Sequence, residues 1–297
     1  MSTDTGSNTA PRLSVCLTFD FDTHDAWLAG STNPAHVSRG EFGAVAVPRV
    51  LDLLAGKGIK SSFYVPGFTA INYPWLVEQI HDAGHEIGHH GWKHENAGDV
   101  SLDMQREIYE KGAAALEGIL GSRPVGYRSP NGSYNGDTLT VLVENGIEYN
   151  SHFSASDFTP YYLRRDIWKG PGEFEFGEPV DIVEMPFAWH LDDFVHFEFL
   201  GGFTSTLNAP SAVREIWQGD FDWAYDNTPG GVLVLCMHPG VIGRGHRLRM
   251  LEGLIDYMAA KPGVVFERVL DHVTTWRAAN PLDSYRKVRS PHNPRPY

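Results

Sequence analysis

The sequence has few cysteines, a shortage of basic residues and no long apolar run. Its two cysteines, Cys16 and Cys236, lie inside apolar strand-like runs, so we predict buried free thiols rather than a disulfide. The 24 Lys and Arg against 37 Asp and Glu leave a net charge of −13, which argues against nucleic acid or an anionic membrane as main partner and is compatible with small neutral ligands. No segment reaches transmembrane length, and residues 1–12 lack the basic start and apolar core of a signal peptide, so we expect a cytoplasmic protein.

Apolar strand-like runs alternate with amphipathic helical patterns along the chain. Residues 29–44, rich in glycine and polar side chains, are predicted to form a loop. We predict strands at residues 13–17, 59–65, 85–90, 180–187, 231–240 and 264–269, and helices at 47–58, 74–84, 101–121, 137–146, 211–227 and 247–261. Such alternation is typical of parallel strands joined by helical crossovers, so we predict an α/β fold, as a barrel or as an open sheet.

No change of composition and no linker divides the chain. We therefore predict one domain over residues 12–279, preceded by a disordered tail at 1–11 and followed by a Pro/Arg-rich tail at 280–297. The last thirteen residues, "YRKVRSPHNPRPY", contain four basic residues and three prolines but no acid, and we predict no regular helix there. Two alternatives stay open for this tail, disorder or an arm that docks on a neighbouring acidic subunit.

Two aspartates follow the first predicted strand in "LTFDFDTHDAW". Asp20 and Asp22 would lie at the carboxyl end of that strand, where α/β folds commonly place their active sites. Two unpaired carboxylates there would repel each other and lose hydration. The pair therefore needs a cation, a proton or hydrogen-bond donors.

A dense group of histidines occurs in "HDAGHEIGHHGWKH". His90 and His94 run from a predicted strand into a turn, where an H-x-x-x-H pair can converge on one ion. Two imidazoles and one carboxylate, from Asp20 or Asp22, would give the three-ligand site with open positions that hydrolytic zinc enzymes use. His89 stays open as an alternative to His90.

Two further residues follow predicted strands. His238 comes directly after the apolar run "VLVLCM", where a general acid or base would face a cleft; a buried histidine bonded to a backbone carbonyl is the alternative. Arg128 lies in "VGYRSPNG", in a turn fixed by Pro and Gly, and a surface ion pair is its alternative.

These four elements together resemble the polysaccharide deacetylase family, also called the NodB homology domain and carbohydrate esterase 4-like. "TFDFD" stands where the family has T-F-D-D, "HGWKH" where it has H-x-x-x-H, "RSP" where it has R-x-P, and "LCMH" where it has L-x-x-H. The resemblance spans residues 18–238 and implies a single-domain, distorted (β/α) barrel with seven or so parallel strands. It also implies a hydrolase of carbon–nitrogen bonds other than peptide bonds.

The resemblance implies a role for each matched residue. Asp22, His90 and His94 would bind one divalent ion, usually Zn²⁺, with Co²⁺ or Ni²⁺ as alternatives. The catalytic residues would be Asp20, Arg128 and His238: Asp20 as general base, Arg128 orienting Asp20, and His238 protonating the leaving amine. Because Phe21 separates aspartates that are adjacent in the family motif, the roles of Asp20 and Asp22 could be exchanged.

The family's D-x-x-D-W motif is not present as such, and the nearest material is "EMPFAWHLDDF", with Trp189, Asp192 and Asp193 in a different order. "HGWKHE" and "MHPGVIGR" look more like an intracellular branch of allantoinase-like and cyclic-imide-hydrolysing members, often tetramers, some of which work without a metal. The expected substrate is therefore an N-acetylated sugar or a small cyclic imide or ureide. A metal-independent hydrolase and a non-catalytic carbohydrate-binding relative are the alternatives. The aromatic residues that could line a closed pocket are Trp75, Trp92, Phe187, Trp189 and Phe203.

Overall fold

The described residues of a computed structural model, 11–28, 31–199 and 207–288, form a mixed α/β domain around a mostly parallel sheet. The strands are β1 (Leu13–Asp20), β2 (Ser62–Val65), β3 (Glu86–His89), β4 (Gly126–Tyr127), β5 (Tyr149–Asn150), β6 (Tyr161–Arg164), β7 (Ile167–Gly170), β8 (Glu173–Glu175), β9 (Pro179–Glu184), β10 (Gly231–Met237) and β11 (Val264–Phe266). The helices are α1 (His24–Leu28), α2 (Pro34–Lys57), α3 (Gly67–Asn72), α4 (Pro74–Asp82), α5 (Leu102–Leu120), α6 (Gly136–Glu144), α7 (Asp193–Phe197), α8 (Pro210–Asn227), α9 (Pro239–Ile242), α10 (Gly245–Ala259), α11 (Val269–Ala279) and α12 (Leu282–Val288).

The main sheet follows the order β10-β1-β2-β3-β4-β5-β9-β6. Its pairs are parallel except for β6 against β9, and β11 adds a parallel partner to the start of β1. An isolated parallel bridge between Asp192 and Cys236 connects the segment after β9 to β10 and so brings the two ends of the sheet together. The predicted distorted (β/α) barrel with about seven parallel strands is confirmed.

Side-chain alternation along β1 separates the two faces of the sheet. Leu13, Val15, Leu17 and Phe19 pack in one apolar cluster with residues of α2, α8 and α10. Cys16 belongs to a second cluster, with residues of β2, β9 and β10, that fills the barrel interior. Successive side chains of a strand point to opposite faces, so the even-numbered residues of β1 face the interior. Both cysteines are buried and free, as predicted.

The predicted loop at 29–44 is largely helical, because α2 begins at Pro34. Asn33 caps this helix with its side-chain oxygen, which accepts a hydrogen bond from the Ala35 amide, and Pro34 occupies the first helical turn. The glycines of this segment favoured the prediction of a loop. In the helix, Gly43 instead allows close contact with the segment after β1, since a Cβ added to it would lie 2.4 Å from the Asp22 carbonyl oxygen. Tertiary packing therefore overrides local propensity here.

The start of the C-terminal tail also differs from the prediction, since residues 282–288 form α12. Tyr285 packs against the rings of Tyr162 and Trp276, and the Arg286 guanidinium donates to the Pro179 carbonyl at 2.8 Å. Pro281 immediately precedes α12 and the next proline is Pro291, so residues 282–288 are free to form a helix on their own barrel. Residues 1–10 and 289–297 of the predicted tails lie outside the described residues. None of the helices in the described ranges combines the length and apolar character needed to cross a bilayer.

The close contact of α2 predicts opposite effects for two alanine substitutions in one helix. Gly43→Ala should lower the free energy of unfolding by about 1–3 kcal/mol, because the added methyl group overpacks the contact with the Asp22 backbone. Gly56→Ala, which meets nothing within 4 Å, should raise it by about 0.4–1 kcal/mol through the lower entropy of the unfolded chain. Urea unfolding of both variants measures the difference. Equal effects would mean that Gly43 is not in close contact with the Asp22 loop.

Candidate metal centre and active site

The predicted site residues all follow the carboxyl ends of parallel strands. Asp20 ends β1, while His90, Arg128 and His238 each come one residue after β3, β4 and β10. Since these strands run in the same direction, their carboxyl ends meet at one edge of the sheet. The fold thus brings together side chains that are up to 218 positions apart in the sequence, from Asp20 to His238.

Phe21 explains why two aspartates separated by one residue lie side by side. Its amide donates to the Tyr64 carbonyl at 2.8 Å, so the chain continues in an extended form past the end of β1. The Phe21 ring is fully buried in the cluster between sheet and helices. Asp20 and Asp22 therefore point to the opposite side, into the site.

Asp22, His90 and His94 form a compact group of ligand atoms. The Asp22 carboxylate lies 3.7 Å from His90 Nε2 through Oδ1 and 3.5 Å from His94 Nε2 through Oδ2. One ligand atom from each residue lies within 4.8 Å of the other two. His94 has a φ of 60°, a left-handed conformation that non-glycine residues adopt rarely and that clusters at functional sites.

This group fits a divalent ion, because two of its atoms lack any other partner. Asp22 Oδ1 and His90 Nε2 are buried without a hydrogen bond to any described residue. The His90 Nδ1–H donates to the Arg128 carbonyl at 2.8 Å, which leaves the Nε2 lone pair aimed into the site. Burial lowers the pKa of His90, so the neutral, ligating form is favoured. Unpaired buried polar atoms are costly, and a bound cation would remove that cost.

The alternative ligand, His89, points away from this group. Its Nε2 lies 2.9 Å from the Tyr109 carbonyl, and its ring stacks on Tyr109 with centroids 4.4 Å apart. Its Nδ1 accepts a hydrogen bond from the Gly91 amide at 3.1 Å. His89 is thus held between β3 and α5 and cannot contribute to the ligand group of His90.

Arg128 is a buried partner of Asp20 and not a surface ion pair. The guanidinium is 1% exposed, donates to Asp20 Oδ1 at 2.8 Å and lies over the Tyr64 ring. It also donates to the Ser151 carbonyl and hydroxyl at 3.0 and 2.8 Å and to Thr18 at 2.9 Å. Burial raises the pKa of Asp20, but the charges of Arg128, His90 and His238 together outweigh burial, and the net pKa lies below its usual value. Asp20 is therefore ionised at neutral pH.

His238 is oriented by Asp193, a residue whose role the sequence did not reveal. The His238 Nδ1–H donates to Asp193 Oδ1 at 2.7 Å, and the His238 amide also contacts the Asp193 carboxylate at 3.1 Å. The other ring nitrogen, Nε2, lies 3.8 Å from Asp22 and 4.0 Å from Asp20. Burial lowers the pKa of His238, but the hydrogen bond to Asp193 and the surrounding carboxylates outweigh it, so the pKa lies well above its usual value. Asp192, by contrast, caps α7 by accepting from the Phe194 amide.

Glu184 is a second residue that the sequence analysis missed. It ends β9, is fully buried, and accepts hydrogen bonds from the His152 and Phe153 amides at 2.5 and 2.6 Å. Burial raises its pKa to about 8. Its contacts fix the segment that carries Ser151, the partner of Arg128. A charged residue closing an apolar strand was the available signal, as at Asp20.

The predicted aromatic residues occupy different places. The Phe187 ring stacks on His152 at 5.4 Å, and Trp189, half exposed, lies 5.1 Å from Phe187. Trp75 packs on Tyr73 and is also half exposed, whereas Trp92 packs on Phe68. Phe203 lies outside the described residues. Phe187 and Trp189 thus form one aromatic group together with His152.

The barrel and these strand-end side chains define a hydrolase-like site, and comparison with known proteins gives its family. Residues 7–150 match the sequence profile of the polysaccharide deacetylases. A crystal structure of a Mycobacterium smegmatis protein described as a polysaccharide deacetylase is 32% identical, with a TM-score of 0.81 and coverage of 92% of both chains. A peptidoglycan deacetylase of Helicobacter pylori is 29% identical over 86% of this chain and 93% of its own. An allantoinase structure, at 21% identity and a TM-score of 0.75 over 91% of this chain and 92% of its own, shares the fold.

The chain belongs to the polysaccharide deacetylase family. It is a hydrolase that acts on carbon–nitrogen bonds other than peptide bonds, the class of the named deacetylases among its relatives.

The buried ion pair predicts a non-additive effect on stability. Arg128→Met should lower the free energy of unfolding by about 3–5 kcal/mol, because it leaves the Asp20 carboxylate buried without its cation. The double variant D20N/R128M should recover part of that loss, since it removes both charges together. Urea unfolding of the two variants and of Asp20→Asn measures the coupling. Additive losses would show that the two charges do not stabilise each other.

Proposed function

We propose that the protein is a divalent-metal-dependent hydrolase that removes the acetyl group from an N-acetylated sugar. The observation that carries the proposal is the pair of buried, unpartnered ligand atoms, Asp22 Oδ1 and His90 Nε2, next to His94. The sugar substrate is supported by the Helicobacter pylori relative, named a peptidoglycan deacetylase. A small cyclic imide or ureide is the second substrate class to test, because its scissile bond is also an amide.

Asp22, His90 and His94 would hold the ion. Two imidazoles and one carboxylate form a donor set that Zn²⁺ accepts and that leaves coordination positions open. When bound, a divalent ion at this position would polarise the acyl carbonyl and lower the pKa of a water molecule. The three residues would also orient the amide, since its oxygen has to lie next to them.

Asp20 is proposed as the general base. Arg128 holds one of its oxygens, Oδ1, at 2.8 Å, while Oδ2 lies within 4.0 Å of His238 and 3.7 Å of His90. A carboxylate kept ionised by a buried guanidinium is ready to accept a proton from an attacking water molecule. Because Arg128 holds Oδ1, the carboxylate cannot rotate freely, and Oδ2, the oxygen that would accept the proton, keeps one orientation.

His238 is proposed as the general acid. Its Nδ1–H donates to Asp193, which fixes the ring and stabilises the imidazolium, so that Nε2 carries the transferable proton. The raised pKa of His238 keeps this proton in place at neutral pH. Nε2 would deliver it to the amine nitrogen as the carbon–nitrogen bond breaks.

The proposed ion site predicts the metal content of five proteins. Purified wild-type protein should contain about one zinc or similar divalent ion per chain, and Asp22→Ala and His94→Ala should contain almost none, because each loses one of three ligands. Asp20→Asn should keep the ion. His81→Ala, an exposed histidine on α4, is the matched control and should also keep it. Elemental analysis measures all of these.

A wild-type protein that hydrolyses substrate but takes up no ion after addition of zinc or cobalt would contradict the metal proposal. It would instead favour the metal-independent hydrolase.

The acid and base roles predict different dependence on the leaving group. Asp20→Asn should lower kcat by roughly 10²–10⁴ for an acetamide and for an acetate ester, because both reactions need the base. His238→Ala should lower kcat by a similar factor for the acetamide but far less for an ester with an acidic alcohol, which leaves without a proton. Steady-state kinetics on N-acetylglucosamine oligomers and 4-nitrophenyl acetate tests this. Equal losses for both substrates in His238→Ala would exclude the acid role.

A further inference from the structure

Four arginines gather beside the candidate active site of an otherwise acidic chain. Arg39 and Arg49 extend from α2, and Arg244 and Arg247 from the segment that follows α9. Arg39 pairs with Glu198, and Arg247 lies 3.5 Å from the same carboxylate. One carboxylate thus serves two of the guanidinium groups, although the whole chain has a net charge of −13. Residues 29–30 and 200–206, outside the described ranges, contain no acidic side chain.

Two of these arginines line the same cavity as two proposed site residues. Asp22 and His238 border this cavity together with Arg39 and Arg244, and Glu198, the ion-pair partner of Arg39, also lines it. Phe194 forms part of the wall between them. The cavity therefore connects Asp22 and His238 with the two guanidinium groups.

A row of ring contacts connects His238, the proposed acid, with Arg39. The Phe194 ring lies 5.3 Å from the His238 ring and stacks on Trp27 at 5.9 Å. The Arg39 guanidinium in turn lies 3.8 Å above the Trp27 ring. Stacking of this kind fixes the planes of side chains that would otherwise be mobile, so the wall and Arg39 are preorganised.

Arg244 differs from the other three arginines, each of which makes a hydrogen bond within the described residues. Its guanidinium lies 3.4 Å above the Phe42 ring but makes no hydrogen bond or ion pair with the part of the chain that the structure describes. Burial and the charges of Arg247, Arg49 and Arg39 lower the pKa of Arg244 by more than the Glu198 carboxylate raises it, so the like charges outweigh the opposite one. Stacking on an aromatic ring orients the guanidinium and leaves its donors free for a bidentate contact.

A purely structural role accounts for Arg247 but not for Arg244. Arg247 is buried and donates to the carbonyls of Val241 and Phe197 at 2.7 and 3.0 Å, so it connects α7 to the turn after His238. Arg244 makes no such connection and is exposed. An oxyanion bound there would offset the repulsion from the neighbouring guanidinium groups, which Glu198 offsets only in part.

We propose that Arg244, with Arg39, binds an oxyanion group carried by the N-acyl substrate, so that the enzyme prefers carboxylate- or phosphate-bearing substrates over neutral ones. This assignment rests on the proposed function, because it places the scissile amide at Asp22 and His238. The proposed preference for anionic substrates differs from the inference drawn from composition, which is compatible with small neutral ligands. The local charge beside the site, and not the net charge of the chain, selects the substrate.

The test compares matched substrates in the metal-loaded wild-type enzyme. N-acetylglucosamine is neutral, N-acetylmuramic acid adds a carboxylate, and N-acetylglucosamine 6-phosphate adds a phosphate; hydantoin and hydantoin-5-acetic acid form the corresponding cyclic pair. An anionic member should have a kcat/KM roughly tenfold to hundredfold higher than its neutral partner, mainly through a lower KM. Comparison of the carboxylate-bearing with the phosphate-bearing substrate shows which oxyanion the arginines bind.

Arg244→Gln should raise KM for the preferred anionic substrate roughly tenfold to hundredfold and bring the anionic-to-neutral ratio close to one. Arg249→Gln changes an exposed arginine on α10, the helix that Arg244 directly precedes; it is the matched control and should leave the ratio as in wild type. Calorimetry adds a readout that needs no turnover. The probe is the preferred anionic substrate. Asp20→Asn should bind it, and D20N/R244Q should bind it at least tenfold more weakly.

The failures of the two proposals are distinguishable. Hydrolysis of neutral substrates without an anionic preference, or equal binding by Asp20→Asn and D20N/R244Q, would overturn the oxyanion assignment alone. No hydrolysis of any substrate by the metal-loaded enzyme would overturn the proposed function, and calorimetry would still decide whether Arg244 binds the anion.

Discussion

The buried guanidinium of Arg128 is the contact on which the arrangement of the site depends. It joins the ends of three strands, since it reaches Thr18 and Asp20 of β1 and Ser151 after β5, and follows β4 itself. A charge that is 1% exposed has to be matched closely, because an unpaired buried ion costs several kcal/mol. Three strand ends are therefore held in one relative position by a single group, and the carbonyl of the same residue orients His90.

The remaining charges of the site follow from this pairing. Arg128 balances Asp20, and Asp193 faces His238. Asp22 faces the imidazoles of His90, His94 and His238 at distances too long for good hydrogen bonds, and the charge of the buried Asp25 carboxylate repels it. The site thus has one carboxylate fixed by an arginine, one histidine fixed by a carboxylate, and one carboxylate that needs a cation. That division of roles comes from the partners of each group and not from its residue type.

Much of the fold and of the site could be predicted because central strands have a strong signal. β1 and β10 are buried throughout and mostly apolar, so Asp20, which ends β1, and His238, which follows β10, stand out. His89 and His90 could not be separated, because neighbouring strand residues face opposite sides and the sequence does not say which side is the interior. β4 and β5 have two residues each, too few for any periodicity.

Other features depend on contacts between distant segments and leave no local pattern. Asp193 acts through His238, which lies 45 positions away, so only the folded chain shows the pair. Gly40 and Gly43 of α2 were predicted to be loop residues because propensity is local, whereas in the helix they allow close approach to the backbone of Asp22, Thr23 and His24. Helix α12 was not predicted for the same reason, because its Tyr285 packs against the distant rings of Tyr162 and Trp276.

Helix α2 couples the proposed ion site to the proposed recognition of an anion. Gly43 contacts the Asp22 carbonyl and lies next to Gly240, two residues after His238. Arg39 precedes Gly43 by four positions, so both lie on the same face of the helix, one turn apart. Any movement of α2 that changed the distance from Gly43 to the site would also move Arg39 relative to the cavity. The helix therefore sets the spacing between the hydrolysed amide and the oxyanion of the substrate, and this spacing, more than either group alone, would determine which N-acyl compounds fit.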